Sequence, residues 1–408
     1  MKVGVNASGA KPHSWRLYVV VASQGAAQVI LLSLVPVIAR QCSLDLAAIG
    51  SLVAVGTLSL MASSRAWGIA SDRYGRRPVL LLSLFGTLIA QASFVTLLLL
   101  LAAREINGAT AMLLLGLSRI LYGISAAGVY PACQAWAVDL SRPGRELAAL
   151  SSVSAAANLG RGFGPLLVIA TLGSGEIRTL GWLALLPLIG LMVITGSGRG
   201  RRAPGVLPVA PRNTGLPMAL FALAVLGTAS IGQLQLALGP VLMDYYGHEA
   251  GNASSTAALI LVAAAGCGAL VQWTLGKRLR GPRTALALGA LLFAAGAAIA
   301  NLSLGSWPAF PGLLLVVAGA ALLIPGYTTL LAAQGSQGFG RQFGSLSLLH
   351  TGGYTLGFAV GGWIYQAMPQ APLSGLLLGA VLIAVITLLK LAQGHRRASE
   401  KPSHQPAK

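Results

Sequence analysis

Acid is scarce in this sequence. Nine Asp and Glu residues stand against 28 Lys and Arg in 408 positions, and all charged residues together make up 9%. A soluble domain carries about 25%, so the shortage excludes a water-soluble enzyme with an ordinary charged surface. Cysteine is scarce too. Cys42, Cys133 and Cys267 are far apart, with no C-x-x-C and no Cys/His cluster, which excludes a disulfide framework and a cysteine-built metal site. The chain also lacks a nucleotide-binding loop, a Ser-His-Asp arrangement and any metal-ligand spacing. No catalytic residue, metal or cofactor is therefore expected, and the chain reads as a non-enzyme.

What is abundant is apolar length. Hydrophobic residues make up 55% and the mean hydropathy is +0.75. Runs of roughly 20 or more apolar residues recur throughout, the length needed to cross a ~30 Å hydrocarbon layer. They are longer than barrel strands and do not alternate with period two, so they predict an all-α bundle in a membrane. Twelve spans are expected, near 17–40, 46–70, 78–102, 111–139, 147–172, 179–196, 216–244, 253–276, 284–304, 310–333, 344–368 and 371–393. The first run follows Lys2, Lys11 and Arg16. It is too long for a signal peptide and reads as an uncleaved span.

Between the sixth and seventh spans lies a Gly-, Pro- and Arg-rich stretch without apolar periodicity. It divides the chain into a six-helix half over 1–196, a cytoplasmic linker over 197–215, a second six-helix half over 216–393 and a basic tail over 394–408. The halves read as a repeat offset by about 204 residues, which sets Pro78 on Pro282. A net charge of +19 on one face of a soluble domain would point to nucleic acid. Here the charge is distributed otherwise. With the N-terminus in the cytoplasm, Arg40, Arg104 and Arg178 lie outside, and Arg65, Arg119 and Arg161 lie in or at the edge of spans. The other 22 basic residues fall on the cytoplasmic side. This satisfies the positive-inside rule loop by loop. It predicts an inner-membrane protein with both termini cytoplasmic, whose partner is anionic lipid and not nucleic acid.

The loop between the second and third spans reads Gly68-x-x-x-Asp72-Arg73-x-Gly75-Arg76-Arg77-Pro78. Gly75 suits a tight turn, since a residue without Cβ takes left-handed angles cheaply. Pro78 suits the first turn of the next helix, and the arginines hold the turn at the membrane surface. The pattern resembles the signature loop of the major facilitator superfamily, a large family of secondary transporters. The resemblance implies twelve helices in two pseudo-symmetric halves, a small-molecule substrate moved by alternating access, and a monomeric protein. The second copy, Gly276 to Gly281, keeps the basic turn without an aspartate.

Two more stretches carry the resemblance. In the fourth span Arg119-x-x-Tyr122-Gly123 precedes Ala126, Ala127 and Gly128, and the span ends at Asp139. By resemblance Asp72, Arg76 and Asp139 form an inner-gate charge cluster; otherwise they are three separate surface charges, each worth little. In the fifth span Gly160-x-x-x-Gly164-Pro165 is similar to a motif of the exporter branch, although Val168 and Ile169 stand where that branch carries glycines. Small residues there also serve simply to let helices approach.

The remaining candidates are polar residues inside spans. Gln24 and Gln28 share one face of the first helix, either lining a cavity or hydrogen-bonding between helices. Arg119 and Arg161 lie at similar depth, and no Asp or Glu occupies a span interior. Guanidinium forks pair with carboxylates, which predicts an anionic or zwitterionic cargo, unless Arg161 turns to a helix carbonyl or to water. Gln233 and Gln235 mark the seventh span, where Gly239 and Pro240 follow. Pro325-Gly326-Tyr327 is expected to break the tenth. His350 and Tyr354 lie in the eleventh. His350 is either a proton carrier or a hydrogen-bonded packing residue. The expected function is proton-coupled export of a small organic anion or zwitterion, with uptake symport and a non-transporting membrane receptor as the alternatives.

Overall fold

The structure, a computed structural model, describes residues 14–141, 146–196, 218–279, 281–334, 339–368 and 371–399. Among these are fourteen α-helices and no strand. They are α1 (Ser14–Ser33), α2 (Val35–Cys42), α3 (Leu46–Tyr74), α4 (Arg76–Ala102), α5 (Gly108–Ala126), α6 (Val129–Leu140) and α7 (Glu146–Thr171). After two 3-10 turns come α8 (Trp182–Thr195), α9 (Met218–Tyr246), α10 (Ala250–Arg278), α11 (Pro282–Leu302), α12 (Ala309–Gln334), α13 (Phe339–Ala367) and α14 (Ser374–Ser399). With α1–α2 and α5–α6 each read as one interrupted span, they make twelve, the all-α membrane architecture expected. Eleven stretches are long and apolar enough to cross a membrane by composition. The helix that falls short is α13, whose run carries His350, Tyr354 and several glycines. Large apolar side chains such as Leu113, Leu270 and Leu388 stand exposed along the helices, which hydrocarbon tolerates and water does not.

Two interruptions have local causes. Pro131 lacks an N–H and its ring crowds the carbonyl of Ala127, and the fourth span breaks at Ala127 and Gly128. The Gly128 N–H donates to Ser125 O at 3.4 Å, so the Ile124 carbonyl that it would have met in a helix is freed. Trp67 Nε1 donates to that carbonyl at 2.6 Å. Pro36, in the first turn of α2, interrupts the first span in the same way. The expected break at Pro325 does not occur, and α12 runs through it. There the hydroxyls of Thr328 and Thr329 donate to the carbonyls of Ile324 and Pro325. The carbonyl that Pro325 leaves without its helical donor is that of Ala321, and one such loss does not break a packed helix here. The linker over 197–215 lies outside the described residues, and α14 continues to Ser399, into the stretch read as tail.

The chain forms two compact units, one of residues 1–211 with 238–265 and the other of 212–237 with 266–408. In the first, α1 packs on α7 and α8, α3 on α5, and α4 on α5, α6 and α8. At one end of this unit Gln41 Nε2 donates to Glu176 Oε2 at 2.9 Å. The other oxygen of Glu176 lies against Gly251 in the first turn of α10, and Gly239 of α9 lies against the ring of Pro36. In the second unit α11 packs along α12 and on α14. Gly289 and Gly296 face Gly319 and Gly312 there, close enough for backbone to meet backbone.

The two units repeat one crossing. On α7, Gly160 and Gly164 take the carbonyls of Ala22 and Ala26 of α1, while Gly25 takes the carbonyl of Ala157. On α13, Gly357 and Gly361 take Ala229 and Gln233 of α9, while Gly232 takes the carbonyl of Tyr354. Gly25 maps to Gly232, a step of 207, and Gly160 to Gly357, a step of 197. The single offset near 204 read from Pro78 and Pro282 therefore averages over connections that differ in length between the halves.

Candidate functional site

The signature loop comes first. Gly75 has φ +97° between the end of α3 and the start of α4, the conformation for which glycine suits that turn. Arg76, its side chain 8% exposed, sits at the centre of a cluster. Its Nε donates to Asp139 Oδ2 at 3.0 Å, and one terminal nitrogen donates to Asp72 and, at 3.0 Å, to Ser71 Oγ. Asp139 is 20% exposed at its side chain and Asp72 is 71% exposed. Asp72, Arg76 and Asp139 are thus joined, across the ends of three helices, by the planar fork that only arginine offers. Arg77 donates to the Thr195 carbonyl at 2.8 Å, at the C-terminal end of α8, where a cation is favoured. Arg73 lies over the ring of Tyr74, and nothing closely approaches Gly68.

The two arginines placed at similar depth have different surroundings. Arg119 is 3% exposed. Its guanidinium donates to Gln91 Oε1 at 3.3 Å and lies 4.2 Å from the ring centre of Tyr122 and 5.0 Å from that of Phe94. Its Nε abuts Gly56 without a hydrogen-bond partner. Arg119 is therefore held among α3, α4 and α5 by aromatic faces, each contact worth ~0.5–2 kcal/mol, and by one amide. Gln91 and Phe94 were not among the expected site residues. A glutamine in mid-span was the available signal.

Arg161 is exposed and donates to Asn158 Oδ1 at 3.1 Å. Leu159, Phe163 and Leu166 form the exposed apolar stripe of α7. At 3.6 residues per turn, Asn158 and Arg161 are centred about 140° around the helix from that stripe. They stand beside the α1 contact instead, and the Arg161 backbone nitrogen lies next to Gly25. On α1, Gln24 and Gln28 are half-exposed while Gly25, Ala26 and Val29 are buried. Unit 1 thus has an accessible polar strip made of Gln24, Gln28, Asn158 and Arg161. Asn158, one turn before Arg161, completes it, and its signal was the i, i+3 spacing.

In unit 2, Gln233 is buried, donates to the Pro372 carbonyl at 3.4 Å and fills the space left by Gly361 and Gly375. These contacts pack helices. Gln235, which the step of 207 sets opposite Gln28, is half-exposed. Tyr354 stacks on Phe358 with ring centres 6.0 Å apart, and His350 Nε2 lies 2.6 Å from the hydroxyl of Tyr327. Among the described residues no group of His, Cys, Asp or Glu is arranged to hold a metal.

Repeated halves, a signature turn closed by a charge cluster and twelve spans together point one way, and comparison with known proteins agrees. The model of the Major Facilitator Superfamily matches residues 17–334. The chain belongs to this superfamily. It is an integral membrane transporter and not an enzyme. Solved structures share the fold at low identity. A peptide transporter POT in complex with sulfate is 17% identical at a TM-score of 0.71, covering 96% of both chains. A POT family transporter in complex with 5-aminolevulinic acid is 13% identical at 0.72, covering 96% of this chain and 98% of that one. The human organic anion transporter MFSD10 (TETRAN) is 18% identical at 0.64, covering 92% and 98%.

Proposed function

We propose that this superfamily member is a proton-coupled exporter of a small organic anion or zwitterion, working by alternating access as a monomer in an inner membrane. The observation that carries the cargo class is Arg161, an exposed guanidinium on the side of α7 turned away from its apolar stripe. In no described helix does an Asp or Glu lie deeper than three residues from an end, so a carboxylate on the cargo meets no competing acid there. Arg161 forks onto the carboxylate, while Gln24, Gln28 and Asn158 supply neutral donors and acceptors. Arg119, enclosed by Tyr122 and Phe94, holds positive potential in the same unit without touching cargo. The cluster of Asp72, Arg76 and Asp139 latches one conformation of the cycle. Transporters of this fold include one named for organic anions and one bound to 5-aminolevulinic acid; at these identities the likeness is of fold alone.

Export rests on the Gly160-x-x-x-Gly164-Pro165 element, and Val168 and Ile169 favour the second reading, proton-coupled uptake. Inside-out vesicles energised with a proton gradient, offered labelled p-aminohippurate as the anion and tetraethylammonium as the cation, separate these readings. Gradient-dependent accumulation of the anion is expected, with Arg161→Ala raising its apparent KM about tenfold, Arg161→Lys less, and cation handling unchanged. Equal effects of Arg161→Ala on both probes remove Arg161 from the cargo site. Accumulation driven only in right-side-out vesicles replaces export by uptake.

A further inference from the structure

Unit 2 contains an ionisable pair that packing does not require. His350 of α13 and Tyr327 of α12 meet Nε2 to hydroxyl at 2.6 Å, with their rings edge-on at 70°. Tyr327 is 1% exposed and His350 is half-buried. By the step of 197 that carries α7 onto α13, the counterpart of His350 in unit 1 is Val153. That valine is fully buried in an apolar cluster with Leu17, Val21 and Trp136. A branched hydrocarbon therefore suffices at this place in the crossing. An imidazole and a phenol there cost free energy to bury and are stabilised by bonding each other.

The surroundings are poor in charge. Between Met218 and Ala237, α9 brings no ionisable side chain against α13; α12 brings Tyr327, and Tyr354 follows His350 by one turn on α13 itself. Arg283 begins α11, and α14 carries Lys390. No Asp or Glu stands among the described residues of this unit.

We propose that the Tyr327–His350 pair is the proton-binding site that couples this transporter to the proton gradient. The proposal rests on the proton-coupled reading above and names its carrier. In the neutral pair the Tyr327 hydroxyl donates to Nε2. When His350 gains a proton the bond reverses. The imidazolium Nε2–H now donates, the Tyr327 oxygen accepts, and the hydroxyl hydrogen turns away. One proton enters and one positive charge appears; loss of that proton to the other side restores the neutral pair. The reversal changes what α12 presents to α13, which is how occupancy of the site biases one conformation over another.

The test needs no cargo. The full chain is reconstituted in lipid nanodiscs and its hydrogen–deuterium exchange is followed across about pH 5 to 8, scaled for the intrinsic pH dependence of exchange. Peptides of α12 and α13 are expected to change protection several-fold through a one-proton midpoint, and His350→Gln to abolish that transition. Tyr327→Phe keeps the buried ring and removes the oxygen that accepts from the imidazolium. A hydrogen bond to the charged form is the stronger one, so its midpoint should fall by about one pH unit. Full protection of the remaining helices in both variants shows that they are folded. A transition that survives His350→Gln unchanged overturns the site. A parent protein with no transition overturns the site and leaves the proton-coupled reading to the vesicle assay. Failure of the Arg161 prediction leaves this result untouched, so the two are judged separately.

Discussion

One residue type plays three parts in this protein, and surroundings decide which. Arg76 bridges two carboxylates, Arg119 is enclosed by aromatic rings and one amide, and Arg161 faces an accessible polar strip. The sequence placed Arg119 and Arg161 at one depth in the membrane, because depth follows from counting residues along a span. It could not say which way each pointed, because facing depends on where neighbouring helices pack. The charge cluster was legible, since its three members sit in recognisable motifs at span ends. What the motif could not reveal is that the two acids are unequal. Asp139 shares its shielded position with Arg76, whereas Asp72 is 71% exposed at its side chain. An exposed pair is worth ~0–1 kcal/mol, but a partly buried bond to a charged group is worth ~1.5–3 kcal/mol. Asp139→Asn should therefore lower thermal stability in detergent, and slow transport, more than Asp72→Asn does. Equal losses from the two variants would remove the shielded pair as the cluster's main bond.

At the scale of elements, span positions were the easiest feature to read, because twenty apolar residues have few other uses. Breaks were harder. A proline interrupted the fourth span through Pro131, where Trp67 was at hand to take the freed carbonyl, yet Pro325 left α12 continuous. Proline removes one N–H in each case, so the residue alone does not decide whether a helix breaks. The crossing of α1 with α7, repeated by α9 with α13, is the element-level device on which the halves are built. A Cβ at Gly160 or Gly357 would run into a backbone carbonyl of the partner helix, Ala22 or Ala229. Backbone cannot rotate aside as a side chain can. Gly160→Ala and Gly357→Ala should each destabilise by ~1–3 kcal/mol, the usual cost of overpacking. Gly162→Ala, in the interior of the same helix as Gly160 with nothing within 4 Å, should hold or slightly raise the melting temperature, since alanine is the better helix former. Similar melting for all three variants would show that the crossing is loose enough to absorb a methyl group.

For the whole molecule, what remains is its direction in the membrane, and charge is the only feature that fixes it. Orientation follows the Lys and Arg of short loops. Arg73, Arg76 and Arg77 cluster where α3 ends and α4 begins, and Lys277 and Arg278 close α10. At the opposite ends of the spans, Asp45, Glu105, Glu176, Asp244 and Glu249 outnumber Arg40, Arg104 and Arg178. The proposed topology therefore has the signature loop in the cytoplasm and the turn after α4 outside. Arg73 and Glu105 are both exposed and lie at opposite ends of the second and third spans. With Cys42, Cys133 and Cys267 replaced by Ala, a membrane-impermeant maleimide added to intact cells should label Glu105→Cys. It should reach Arg73→Cys only after the membrane is permeabilised. The reverse pattern would invert the topology, and with it the side of the membrane on which the cluster of Asp72, Arg76 and Asp139 lies.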